Sequence, residues 1–152
     1  TALALALAAL PALAAATPPG AGACEGADRS EDAFRACVEA VLGPCEARRG
    51  EAGAGAWAAC LSERAAAWED EVAARADRLR RMGHEAGGPG AMAAFLAQRS
   101  ETCRDPERIE AIRAEHGKAA TDGAILRCEL VNSLHRALIL GKIRRQLAAG
   151  GE

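Results

Sequence analysis

The stretch AWAACLSERAAAWEDEVAARADRLRRM, residues 56–82, decides the fold class of this chain. Its apolar residues recur every three or four positions, which places them on one face of an α-helix. They are Trp57, Leu61, Ala65, Trp68, Val72, Ala76 and Leu79. No segment of the chain alternates apolar and polar residues as a half-buried strand would. We therefore predict an all-α fold, a small disulfide-stabilised bundle of four or five helices.

Helix-stop signals divide the rest of this bundle. Gly43-Pro44 is predicted to end a first helix that Ser30 caps, and the glycine-rich residues 46–55 are predicted to form a loop. Gly87-Gly88-Pro89-Gly90 forms a second break, and Asp105-Pro106 starts a further helix that Gly117 closes. The expected helices span residues 30–42, 56–82, 91–103, 106–116 and 124–148.

The N-terminal residues predict export. Residues 2–16 are apolar and uncharged and end in small residues, so residues 1–16 are predicted to be a secretory signal peptide without its charged start. Residues 17–29, rich in proline and glycine, are predicted to be a flexible arm before a helical domain over residues 30–149. We expect a periplasmic or secreted location and no membrane insertion.

Six cysteines then indicate a disulfide framework, since export leads to an oxidising compartment. They are Cys24, Cys37, Cys45, Cys60, Cys103 and Cys128. Helix geometry favours the bridges Cys103–Cys128, Cys45–Cys60 and Cys24–Cys37, and leaves open Cys37–Cys60 with Cys24–Cys45. The stretch Ala21-Gly22-Ala23-Cys24 also leaves open a lipoprotein signal in which Cys24 is acylated.

Composition and motifs favour a binding protein over an enzyme. The net charge of −2 argues against nucleic acid as a partner. The three histidines, His84, His116 and His135, lack metal-ligand spacing, and no serine has the glycine-flanked setting of a hydrolase nucleophile. We predict no catalytic residue, no metal and no cofactor.

Two charged features remain as candidates for partner binding or structure. Glu63, Glu69, Asp70 and Glu71 form an acidic patch that could meet a basic protein, although helical ion pairs account for part of it. Arg99, one helical turn before Cys103, is predicted to bond nearby carbonyls or a carboxylate.

Three short motifs resemble the lysozyme inhibitor LprI-like N-terminal domain family over about residues 37–143. The first runs from Trp57 and Cys60 to Trp68, and the second comprises Phe95, Gln98-Arg99-Ser100 and Cys103. The third is Cys128 with Arg136 and Leu138-Ile139-Leu140. The chain departs from the family at Phe95, where a tryptophan is usual, and at Ser100, where an acidic residue is usual. The family-motif residues are thus Trp57, Trp68, Phe95 and Arg99.

This resemblance implies an exported, disulfide-stabilised helical domain and a lysozyme as partner. We expect a non-enzymatic envelope protein that binds or inhibits lysozyme, with residues 46–55 and 83–90 as the loops that reach the enzyme. The alternative is a structural or stress-related periplasmic module without lysozyme activity, partnered through the apolar face of its last helix.

Overall fold

The computed structural model describes residues 16–150, and residues 1–15 of the predicted signal peptide lie outside them. It contains three α-helices: α1 (Glu31–Arg81), α2 (Pro89–Cys103) and α3 (Pro106–Ala149). Two short 3-10 helices, Ala21–Cys24 and Glu85–Gly87, precede α1 and α2. Among residues 16–150 there is no strand, so the all-α prediction is confirmed. Three helices are counted where four or five were predicted, because α1 and α3 each include an internal glycine at which the helical conformation is interrupted.

The start of α1 follows its sequence, but its predicted end at Gly43-Pro44 does not. The Ser30 hydroxyl accepts a hydrogen bond from the Ala33 amide (3.1 Å), which caps the helix. Pro44 lies inside α1, where a proline costs about 3 kcal/mol. The neighbouring Val41, Leu42 and Cys45 are almost completely buried. Their burial offsets that cost, so the helix continues.

A single glycine, Gly53, replaces the loop predicted over residues 46–55. Its φ of 84° and ψ of −178° interrupt the helical conformation inside α1. The Cα atoms of Cys45 and Cys60 are 5.5 Å apart, whereas 15 residues of straight helix would span about 22 Å. The chain therefore reverses at Gly53, and residues 31–52 and 54–81 form an antiparallel helical hairpin.

Gly117 (φ 80°, ψ 179°) reverses α3 in the same way. Gly117 was predicted to close a helix, and the helical conformation is indeed interrupted there. The last helix, however, begins at residue 118 rather than at the predicted residue 124. Residues 118–149 run parallel to residues 54–81, because Trp57 packs on Gly123 while the Arg75 guanidinium bonds the Ala137 carbonyl (2.8 Å). Both glycine reversals therefore lie at the same end of the bundle.

The hydrophobic core lies between α1 and α3, each of which reverses direction at a glycine. Its largest completely buried side chains are Trp68, Leu61, Leu79, Leu130, Leu134 and Leu140. Each such side chain contributes about 1.5–3 kcal/mol on burial. Most of the apolar face of the last helix is thus packed inside the molecule, although Ile139 and Leu147 remain exposed.

Residues 17–29 are coiled against α1, which corrects the prediction of a poorly ordered arm. The Trp68 indole Nε1 donates a hydrogen bond to the Pro19 carbonyl (3.1 Å), and Gly20 (φ 80°) packs closely on Val41. Cys24 and Ala27 are buried in the core. The segment covers one side of the hairpin.

Three disulfides join Cys24 to Cys37, Cys45 to Cys60 and Cys103 to Cys128. This is the first of the two arrangements considered from the sequence. The Cys24–Cys37 bond occupies the sulfur that acylation would require. No helix within residues 16–150 is long and apolar enough to cross a membrane.

Candidate functional site

A groove of about 690 Å³ lies between α2 and residues 132–139 of α3. The 3-10 helix Glu85–Gly87 contributes one wall of it. The apolar lining comes from Ala86, Ala91, Ala94, Phe95 and Ile139, and the polar lining from Glu85, Gln98, Arg99, Asn132, His135 and Arg136. An apolar surface with a few convergent polar groups is the usual form of a binding site.

Two guanidinium groups flank the aromatic ring of Phe95 in this groove. The Cζ atoms of Arg99 and Arg136 each lie 5.7 Å from the ring centroid. At that distance a cation is attracted to the face of an aromatic ring. Phe95 thus helps to hold two positive charges side by side.

The Arg99 side chain has a structural role, because it connects neighbouring helices. Its Nη1 donates to Glu69 Oε1 (2.6 Å) on α1 and to the Ser133 hydroxyl (3.0 Å) on α3, and its side chain is only 12% exposed. It therefore cross-links all three helices. The carboxylate partner of Arg99 is Glu69, 30 residues earlier in the chain.

Arg136 has a different environment. Its Nη2 donates to the Ala86 carbonyl (3.1 Å), and its buried Nε has no acceptor. No carboxylate oxygen within residues 16–150 lies within 4.0 Å of its guanidinium. Burial lowers the pKa of Arg136 below the ordinary arginine value, but an arginine stays protonated at neutral pH. The groove therefore contains a positive charge without a carboxylate partner.

The turn that carries Ala86 is held firmly in place. His84 Nδ1 accepts a hydrogen bond from the Ala86 amide (3.1 Å). Gly87 is buried, and a Cβ there would overlap the Ala76 carbonyl and the Arg80 amide nitrogen of α1. Only a glycine allows this approach. Residues 83–90, one of the two loops predicted to reach a partner, thus form part of the groove wall.

Residues 46–55, the other predicted loop, form the tip of the α1 hairpin. Residues 47–53 are exposed and helical up to the Gly53 reversal. This tip belongs to the end of the bundle where both glycines reverse the chain. The groove lies away from that end, so the two predicted loops do not form one surface.

The acidic patch on α1 is partly neutralised within the molecule. Glu71 accepts a hydrogen bond from Arg75 (2.5 Å), and Glu69 pairs with Arg99. Glu63 and Asp70 remain exposed. Two isolated carboxylates give little electrostatic attraction for a basic protein, so the patch is a weaker candidate than the groove.

The four family-motif residues are divided between the core and the groove. Trp57 and Trp68 are buried core residues, whereas Phe95 and Arg99 line the groove. The role of Asn132 was missed from the sequence. A signal was present, since Asn132 and Arg136 are four residues apart on one helix and therefore share a face.

Within residues 16–150, no three histidine, cysteine or acidic side chains are placed to hold a metal ion. Comparison of the chain with known protein families, curated proteins and solved structures finds no match. The link to the LprI-like family therefore rests on the three sequence motifs.

Proposed function

We propose that this protein is an exported, non-enzymatic protein of the cell envelope that binds another protein through the groove between α2 and α3. The three disulfides are compatible with an oxidising, exported location. The observation that carries the proposal is Arg136, whose charge has no carboxylate partner within the described residues.

The groove suits an acidic side chain from a partner. A carboxylate placed over the Phe95 edge would accept hydrogen bonds from Arg136, and charge-assisted hydrogen bonds of this kind are about twice as strong as neutral ones. The Gln98 amide lines the same groove and can bond the partner backbone, whereas the Asn132 Nδ2 already donates to the Cys128 carbonyl (2.9 Å). The exposed Leu96 and Ile139 add apolar contact area beside it.

The specific partner we propose is a c-type lysozyme, which the family resemblance implies. A lysozyme carries its two functional carboxyl groups in an open cleft, along with other acidic side chains that an arginine could bond. The alternative, an envelope module without lysozyme activity, would use the same groove for a different acidic partner.

A cell-wall lysis assay tests the proposal with oxidised protein titrated against the lysozyme. We expect stoichiometric inhibition that is lost after reduction and alkylation, because the disulfides hold the fold. Arg136→Gln should weaken inhibition about tenfold or more, and Arg136→Lys should keep part of it, since lysine retains the charge. Arg113→Gln is the control for the change in net charge, because Arg113 is exposed and lies in residues 106–116 of α3, before the Gly117 reversal.

Two results would contradict parts of the proposal. Inhibition by Arg136→Gln at the wild-type level would exclude the groove as the binding surface, while lysozyme would remain the partner. No inhibition by a folded, oxidised sample would exclude lysozyme and favour the envelope-module alternative.

A further inference from the structure

A second polar cleft, of about 380 Å³, shares no residue with the groove. Three parts of the chain meet there: residues 21–29 of the N-terminal segment, residues 71–78 of α1 and residues 138–145 of α3. Its lining includes five arginines, Arg29, Arg75, Arg78, Arg144 and Arg145. We call it the arginine cleft.

The carboxylates around the arginine cleft do not balance these five charges. Glu71 pairs with Arg75 (2.5 Å) and more distantly with Arg78 (3.6 Å). Asp28 pairs with Arg145 (2.7 Å), and Glu25 is the remaining carboxylate of the lining. Arg29 and Arg144 have no carboxylate of residues 16–150 within 4.0 Å. The cleft therefore has an excess of positive charge.

One donor in the cleft also lacks an acceptor. The Nε atom of Arg78 is buried and has no hydrogen-bond partner. A buried donor without an acceptor costs about 1–3 kcal/mol, so such groups usually have a partner. The Nε itself is closed to solvent, but the Arg78 side chain is 40% exposed, so an anion in the cleft would accept hydrogen bonds from its Nη groups.

Gly141 keeps space between two of the guanidinium groups. A Cβ at position 141 would lie 2.9 Å from Arg75 Nη1 and 3.5 Å from Arg145 Nη1. The two nitrogens therefore flank one small space that any larger residue would fill. Gly141 is buried on a helix that would otherwise favour alanine.

We infer that the arginine cleft binds a phosphate group. A carboxylate is planar and suits one bidentate arginine, whereas a phosphate has three or four acceptor oxygens directed to different sides. Arginines from three parts of the chain surround this cleft, which matches a tetrahedral anion. The phosphate is either free or part of a phosphate ester, and both share this chemistry.

Isothermal titration calorimetry on the oxidised protein tests this inference at constant ionic strength. The probes are inorganic phosphate, glycerol 3-phosphate and acetate. We expect saturable binding of phosphate and at least about tenfold weaker binding of acetate, which has fewer acceptor oxygens. Tighter binding of glycerol 3-phosphate than of phosphate would identify an ester as the natural ligand, and equal or weaker binding would identify free phosphate.

Two variants and one control complete the test. Gly141→Ala fills the space between Arg75 and Arg145, and Arg78→Gln removes the buried donor. Each should weaken phosphate binding about tenfold. Arg113→Gln, which loses one charge elsewhere as Arg78→Gln does in the cleft, should change it less than about twofold. Circular dichroism checks that each variant is folded. Acetate binding as tight as phosphate, or equal phosphate binding by Gly141→Ala and the wild type, would overturn the inference.

Discussion

The ring of Trp57 lies flat against Gly123, so closely that a Cβ at position 123 would overlap its Cε3 and Cζ3 atoms. The Arg49 guanidinium also lies over the ring, 4.3 Å from its centroid. This contact joins α1 to α3 next to both glycine reversals.

We expect Gly123→Ala to destabilise the protein by about 1–3 kcal/mol, the usual cost of forcing extra volume into a packed core. Chemical denaturation followed by circular dichroism measures this change. Gly55→Ala is the matched control, because Gly55 is helical and a Cβ there meets nothing within 4 Å. It should be neutral or slightly stabilising. Equal stability of the two variants would contradict the close contact.

Gly53→Ala should lower the free energy of unfolding by about 1–3 kcal/mol. The reason is its positive φ with an extended ψ, a conformation that only glycine adopts easily. Gly50→Ala, three residues earlier in an open helical position, should instead stabilise by about 0.4–1 kcal/mol. Thermal unfolding of both variants provides the comparison. A Gly53→Ala protein as stable as Gly50→Ala would show that the reversal does not need a glycine.

Replacing Cys103 and Cys128 together by alanine should cost about 3 kcal/mol, because the bridge closes a loop of 25 residues. It is the disulfide that ties the end of α2 to α3 and so supports the groove. Hydrogen exchange should therefore increase in α2 and remain unchanged in the α1 hairpin, which the Cys45–Cys60 bridge holds. Uniform exchange across both regions would argue against this local effect.

Trp68→Phe should loosen the N-terminal segment more than the rest of the protein. The substitution removes the Nε1 donor to the Pro19 carbonyl while keeping an aromatic ring in the core. One lost hydrogen bond corresponds to about 0.5–1.5 kcal/mol. We expect faster hydrogen exchange at the amides of Ala21, Ala23 and Ala27, all bonded within this segment. Unchanged exchange there would mean that the disulfide Cys24–Cys37 alone holds the segment.

Sequence patterns predicted the structure correctly where residues a few positions apart determine it. The spacing of Trp57, Leu61 and Trp68 predicted the helix and its buried face, and both are present. Asp105 caps α3 through the Arg108 amide (2.8 Å), as the Asp-Pro pair predicted. The predicted structural role of Arg99 also agrees with its bonds to Glu69 and Ser133, although neither partner was identified from the sequence.

Local rules failed where tertiary contacts outweighed them. Gly43-Pro44 would end an isolated helix, but Val41, Leu42 and Cys45 are buried at that point and keep the helix continuous. Prolines and glycines in residues 17–29 suggested an unordered arm, yet Cys37, Val41 and Trp68 provide the contacts that order it. No sequence pattern within the arm could reveal those partners.

The sequence by itself determined that the chain is helical, which helix faces are apolar and that six cysteines form bridges, because these properties depend on neighbours a few residues apart. Only the tertiary structure decided that Gly53 and Gly117 fold two long helices back on themselves. It alone placed Arg136 where no carboxylate oxygen lies within 4.0 Å of its guanidinium, and it gathered five arginines around one cleft that Gly141 also lines. Those arrangements depend on residues far apart in the chain, whose proximity is fixed by packing.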